Sequence, residues 1–404
     1  MIFRIAWRNI WRNKIRSLVI MLSVAIGLFA GIAVLALYKG MMNSRVRTVI
    51  YAESGHIQIH HREFRKDYEA QYTLGLPAKS LNDLRKDPAV RFMAIRTITQ
   101  GMLATTTGSA GVQINGIDRA MENKVSGLAQ KIREGKEFDP HKKNQVLIGK
   151  KLADKMKLKP GGKLILTFTD ADDNLISAAF RVAAIYQSEN TPMDERNVYV
   201  QQTELNQLLN LGTEAHEIAL ILQQDAMTLA TARRLQQQYP ALLVEPWQNL
   251  SPETELMIDT VDITSYIIIG IILFALAFGI VNTMLMAILE RTQEIGVMMA
   301  LGMNRLRLFL LVFLETVLLT LIGTPLGLGI AWIVTTYYNR HGLNLENMGK
   351  EMMGSFGFST LIYPEFPAEK LVAIMGIVLF TALASCIYPA IKALQLQPIE
   401  ALRK

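Results

Sequence analysis

The residues best equipped for chemistry in this 404-residue chain are few and scattered. His56, His60 and His61 lie close together, and His56 and His60 share one face of an alternating segment. Imidazoles so placed hold zinc once further ligands join them, but no cysteine or carboxylate cluster completes such a set. His216-Glu217 begins like a zinc-protease helix and lacks the second histidine. Ser109 sits in TGSAG with Thr107 two residues before it, so no nucleophile elbow forms. Gly161-Gly162-Lys163 has neither the upstream glycine nor the following Ser or Thr of a phosphate-binding loop. The chain is expected to be non-catalytic, with no metal and no cofactor of its own.

The elements carrying these residues are unusually apolar. Half of the chain is hydrophobic (50%) and the mean hydropathy is +0.23. Four runs, 17–38, 265–289, 308–336 and 371–391, are each long enough to cross roughly 30 Å of hydrocarbon. The first is preceded by a basic stretch, but its apolar core is too long for a signal peptide and no cleavage site follows, so an uncleaved anchor is expected. The third contains Gly323, Pro325, Gly327 and Gly329, where a kink or a tilted end is expected. Asn282 and Glu315 lie within the second and third runs. Polar groups at that depth are costly. Neither stands in the row of acids that a proton relay needs, and a structural role is the plainer expectation. The single cysteine, Cys386, lies in the fourth run, so no intrachain disulfide forms.

Charge sets the expected orientation. Segments 1–16, 290–307 and 392–404 together carry eleven basic and three acidic residues, whereas 39–264 carries 28 basic and 27 acidic. The positive-inside rule puts the first three in the cytoplasm, and 39–264 and the 337–370 loop outside. The excess of +7 is thus concentrated on one side of a membrane, and nucleic acid is rejected as a partner. Within 1–16, Arg4, Arg8, Arg12 and Arg16 recur every four positions, with Phe3, Trp7, Ile10, Trp11 and Ile15 between them. That pattern predicts an interfacial amphipathic helix, arginines toward lipid phosphates and tryptophans at headgroup depth.

The external segment reads as mixed α/β. GHIQIH (55–60) alternates like a strand with Ile57 and Ile59 on one face. RTITQGMLATTT and GVQINGID read as strands. VLIGKKLADKMKLKPGGKLILTF (146–168) reads as strand, short helix, turn, strand. FRVAAIYQ and NVYVQQ look like a strand pair. HEIALIL, DAMTLATARRLQQQYP and ALLVEPW give strand, helix, strand, with Met227, Ala230 and Leu235 on one helix side. Two subdomains are expected: a membrane-proximal one from 39–105 plus 213–264, and an inserted one, 106–212. The fold class is a membrane protein with four transmembrane helices and a large mixed α/β periplasmic domain between helices 1 and 2.

Four stretches taken in order carry a family likeness: IAWRNIWRNKIRSLVIMLSVAIGL, VLIGKKLADKMKLKPGGKLIL, ERTQEIGVMMALGMNR and YPAIKALQLQPIEALRK. Over its whole length the chain resembles the FtsX-like permease superfamily, the membrane subunits of mechanotransmission ABC transporters. The resemblance implies that 290–307 is a coupling helix docking on a cytoplasmic ATPase. Arg291, Gln293 and Glu294 would form its polar face. Ile295, Met298, Met299 and Leu301 would form its apolar face, and Gly296 and Gly302 would allow close approach and a turn. The partners implied are a dimer of ABC ATPases that hold ATP and Mg, a second permease copy or paralogue, and membrane lipids. Within the superfamily the chain looks closest to lipoprotein-releasing permeases, since it begins sixteen residues before its first span, without a fused ATPase, and has an external domain of about their size. A lipoprotein substrate and a periplasmic carrier are then expected, with the acyl chains in a cavity between spans one and two lined by Ile26, Phe29, Ala33, Ile269 and Leu273. Efflux of amphiphiles or peptides, and signalling to a cell-wall hydrolase, stay open as alternatives.

Overall fold

In the computed structural model, residues 2–12, 14–139 and 141–394 are described. Helix α1 (Ile2–Arg12) carries Arg4, Arg8, Arg12 and both tryptophans of the expected 1–16 pattern, whereas Ile15 and Arg16 fall on α2 (Lys14–Thr48), which carries the first apolar run. The segment that follows contains α3 (Lys150–Met156), α4 (Thr191–Arg196) and α5 (Thr228–Gln238) among ten strands. Then come α6 (Val261–Glu290), α7 (Thr292–Ala300), α8 (Arg305–His341) and α9 (Leu371–Leu394). Among the described residues, four helical stretches are long and apolar enough to cross a membrane: Ser17–Ser54, Pro252–Glu290, Arg305–His341 and Ala368–Lys392. The part of the 392–404 tail beyond Leu394, with most of its expected family motif, lies outside the described residues.

Two compact units result. One gathers Met1–Met41, Ile258–Leu343 and Ile362–Lys404, the other Met42–Met257 and Asn344–Leu361. In the first, Val24, Leu28 and Ile32 of α2, Leu276, Ile280 and Met284 of α6, Leu308 and Leu319 of α8, and Val378 of α9 share one buried core. Small residues bring the helices together. A Cβ on Gly323 would stand 2.9 Å from the Met21 carbonyl oxygen, and one on Gly327 would stand 2.7 Å from that of Ala25. Backbone contact this close is how helices associate where no hydrophobic drive separates them from lipid. Helix α8 continues through Pro325. Large apolar side chains such as Phe274, Phe278, Trp332 and Phe380 point outward from the helices.

The second unit is built on a ten-stranded sheet. Its strands are β1 (Ile57–His61), β2 (Val90–Thr105), β3 (Gly108–Ile117), β4 (Ile132–Gly135), β5 (Gln145–Gly149), β6 (Lys163–Thr169), β7 (Leu175–Tyr186), β8 (Asn197–Gln201), β9 (Glu217–Leu222) and β10 (Leu242–Pro246). The order is β10-β1-β9-β2-β3-β8-β5-β7-β4, with β6 pairing β2 and β7. The β2 strand serves two cores. Its first half pairs with β9 over a core that includes Ile57, Ile59, Met93, Ile218, Leu235 and Val244. Its second half pairs with β3 and β6 over a core that includes Leu103, Ile114, Ile148, Leu152, Phe168 and Phe180.

Two expectations are corrected here. The strands read as a pair, β7 and β8, are not neighbours: β5 lies between them, parallel to β7 and antiparallel to β8. Helix α5 buries Thr228, Thr231, Ala232 and Leu235, while Met227 and Ala230 are exposed. Thr228 can turn inward because it satisfies its own hydroxyl by donating to the Asp225 carbonyl at 2.7 Å.

Candidate coupling site

The polar break at 290–307 is a short helix set between two long ones. Helix α6 ends where Arg291 leaves helical geometry (φ −105°, ψ 17°). Thr292 Oγ1 donates to the Leu289 carbonyl at 2.7 Å, closing that end. The Arg291 carbonyl accepts from Ile295 N at 2.9 Å and opens α7. At the far end Met303 N donates to Met298 O and Gly302 N to Met299 O, both at 3.0 Å. This is a Schellman ending, and it needs the left-handed φ of +91° that Gly302 supplies. Asn304 then caps α8, its Oδ1 accepting from Leu306 N at 3.1 Å.

The residues expected to grip a partner divide between two faces. Gln293, Glu294, Leu301 and Gly302 are exposed, and Leu301 is 83% exposed. Val297, passed over in the sequence, is exposed beside them. Gly296 and Ile295 are buried, and Met298 and Met299 pack against the helix core, so most of the expected apolar face turns inward. Arg291 turns inward too. Its side chain is only 11% exposed, with Nη1 3.5 Å from Glu315 Oε1 and Nη2 3.5 Å from the Asn9 carbonyl. The physical reason is Glu315, itself buried in α8, which a cation at this junction can neutralise. Glu294 meets Arg12 of α1 at the surface. Beside these groups lies a cleft of about 450 Å³, bordered by Asn9, Arg12, Ile288, Arg291, Met298 and Glu315. The signal that could have found the Arg291–Glu315 pair was present: one acid within a span and one arginine in the polar break that immediately precedes that span.

The residues expected to line a cavity are also divided. Ile269 and Leu273 of α6 face a narrow groove against Gly27, Leu28, Gly31 and Ile32 of α2. Phe29 packs partly into the helix core, Ala33 is half-buried and Ile26 points outward, 61% exposed. The α2 face toward α6 is therefore the glycine face. Helix rotation decides this, and an apolar run that is hydrophobic all round does not encode it. Asn282 is exposed on α6.

In the second unit the histidines are engaged separately. His56 Nε2 lies 2.8 Å from Asp225 Oδ1, and burial holds its imidazole below the usual range. His60 Nε2 lies 2.9 Å from Glu245 Oε2. His216 accepts at Nδ1 from Ile98 N and stacks on Phe64, and burial lowers it as well. Arg96 Nε and Nη2 donate to Glu122 at 2.9 and 2.8 Å, and its Nη1 to Glu217 at 2.9 Å, all three side chains being buried. These are structural roles: each polar group is satisfied inside the fold.

Comparison with known proteins adds the following. The model of the FtsX-like permease C-terminal region matches residues 266–398, and that of the MacB-like periplasmic core domain matches 17–238. YvrN of Bacillus subtilis (strain 168), an uncharacterized ABC transporter permease, is 24% identical over 99% of this chain and 98% of its own length. The lipoprotein-releasing system transmembrane protein LolC of Xylella fastidiosa (strain Temecula1 / ATCC 700964) is 22% identical over 96% of this chain and 93% of its own. The macrolide export ATP-binding/permease protein MacB of Aggregatibacter actinomycetemcomitans is 24% identical over 81% of this chain, which spans only 51% of that protein.

Proposed function

This chain belongs to the FtsX-like permease family, as a multi-pass ABC transporter permease with a MacB-like periplasmic core domain, and we propose that it extracts lipoproteins from the bacterial inner membrane. A separate cytoplasmic ATPase binds and hydrolyses ATP with Mg. It docks on Gln293, Glu294, Val297 and Leu301, and α7 moves with it. The spans tilt, the external domain changes conformation, and a second copy or a paralogue completes the two-fold machine. Both termini are cytoplasmic, as the charge asymmetry supports.

The observation that carries the docking reading is Leu301, 83% exposed at the end of a polar break that is capped at both ends. With exposed Val297 it makes a small apolar patch on an otherwise polar break, which a soluble partner's surface could cover. For cargo, the groove between α2 and α6 is apolar, as acyl chains require, and narrow, so the two helices must part to admit them. The match to LolC over nearly its full length favours lipoproteins over other amphiphiles. A periplasmic carrier would then receive them.

A second reading, efflux of a small amphiphile, is favoured by the match of 17–238 to the MacB-like core domain. Photo-crosslinking separates the two. A benzoyl-phenylalanine at Leu273, irradiated in native membranes, is expected to capture acylated proteins. Capture of small amphiphiles alone, in membranes where acylated proteins are abundant, would overturn the lipoprotein reading.

A further inference from the structure

We propose that Arg291 and Glu315 form a latch that fastens the coupling helix to α8, so that force on α7 is delivered to the third span. The proposal rests on the docking reading above. Arg291 stands at the junction of α6 and α7, outside regular helical geometry. From there it reaches α8 through Glu315 (3.5 Å), α1 through the Asn9 carbonyl (3.5 Å) and α7 through Glu294 (3.9 Å). One guanidinium thus ties the parts that must move together. Its planar fork suits this better than an ammonium would.

Burial gives the pair its mechanical value. The Arg291 and Glu315 side chains are 11% and 7% exposed. Separating them would strand two charges in a medium that solvates them poorly, so the pair resists being pulled apart. Apolar packing of Ile295, Met298 and Met299 holds one side of α7, and the pair adds a directional tie beside the cleft of about 450 Å³. The tie from Glu294 to Arg12 is half-exposed on both sides and contributes little by comparison. Glu315 is therefore a positioning residue acting through Arg291. The groups that meet the ATPase are the exposed ones on α7.

The test uses the full-length chain, purified in mild detergent with whatever ATPase accompanies it. Spin labels are placed at Ile26→Cys and Ile333→Cys in a Cys386→Ser background, both outward-facing positions. The paired variant Arg291→Gln with Glu315→Gln strands no charge and should fold. It is expected to keep the accompanying ATPase while the change in label distance driven by ATP and vanadate falls about fivefold or more. The swap Arg291→Glu with Glu315→Arg should recover most of that change, which a merely structural role would not predict. A full distance change in the Gln pair overturns the latch while leaving the docking reading intact. Absence of any ATPase from the wild-type chain overturns the docking reading, and the latch with it.

Discussion

Arg45 Nη1 lies 2.6 Å from Glu53 Oε1, across the π-helical turn Val49–Ser54 that follows α2. Asn190 Nδ2 donates to the same oxygen at 2.7 Å, so residues of α2, the turn and the segment before α4 meet at one carboxylate. The Arg45 and Glu53 side chains are 10% and 16% exposed. Arg45→Ala leaves Glu53 largely buried with one neutral donor. The expected cost is about 3 kcal/mol. Thermal unfolding of the detergent-solubilised chain should show it as a drop of several degrees, and an unchanged midpoint would refute the role given to this pair.

Gly327 sets how closely α2 and α8 approach. Gly327→Val puts new atoms against the Ala25 backbone, where a Cβ already stands 2.7 Å from the carbonyl oxygen. Overpacking of this kind costs about 1–3 kcal/mol. Gly329 is the control, since a Cβ there meets nothing within 4 Å. Gly329→Ala is expected to melt like wild type or slightly higher. Equal melting of both variants would count against close packing of α2 on α8.

Asp194 makes the second unit sensitive to pH. Its carboxylate is buried in α4, where Ser188 donates from its backbone N (2.9 Å) and from Oγ (2.7 Å). Burial outweighs these bonds and raises its pKa from 3.8 to about 6. A raised acid pKa stabilises the fold at low pH, and that contribution is lost as pH rises through about 6. The magnitude is about 2–3 kcal/mol. Asp194→Asn should therefore flatten the change in melting temperature between about pH 4 and pH 7.5, the window that spans 3.8 and about 6. Parallel pH profiles for variant and wild type would contradict the assignment.

Much of this was legible from local pattern, and the failures have a common cause. The alternation at Ile57 and Ile59 marks a strand, but Gln58 and His60 on its other face are buried as well, which the polar half of the pattern does not encode. The inward turn of Thr228 and Thr231 was missed because each threonine brings a polar atom that a hydrophobicity pattern counts as outward. The place of β5 between β7 and β8 depends on pairing across long stretches of chain, which local periodicity does not encode. At the candidate coupling site, the pattern around Gly302 marked the short helix and its glycine turn. Arg291 was read as exposed, as arginines usually are. Its partner Glu315 is 24 residues further on, in another helix.

The central claim is that α7 couples this permease to an ATPase, and its most direct test is co-purification. Tagged wild-type chain and Leu301→Asp are isolated in mild detergent from the same cells, and bound proteins are identified by mass spectrometry. Leu301 is 83% exposed, so the substitution should leave the fold intact, which unfolding curves would verify. An ABC ATPase is expected with the wild-type chain and at least about tenfold less with the variant. A folded wild-type chain with no ATPase, or a variant that retains it in full, would contradict the account.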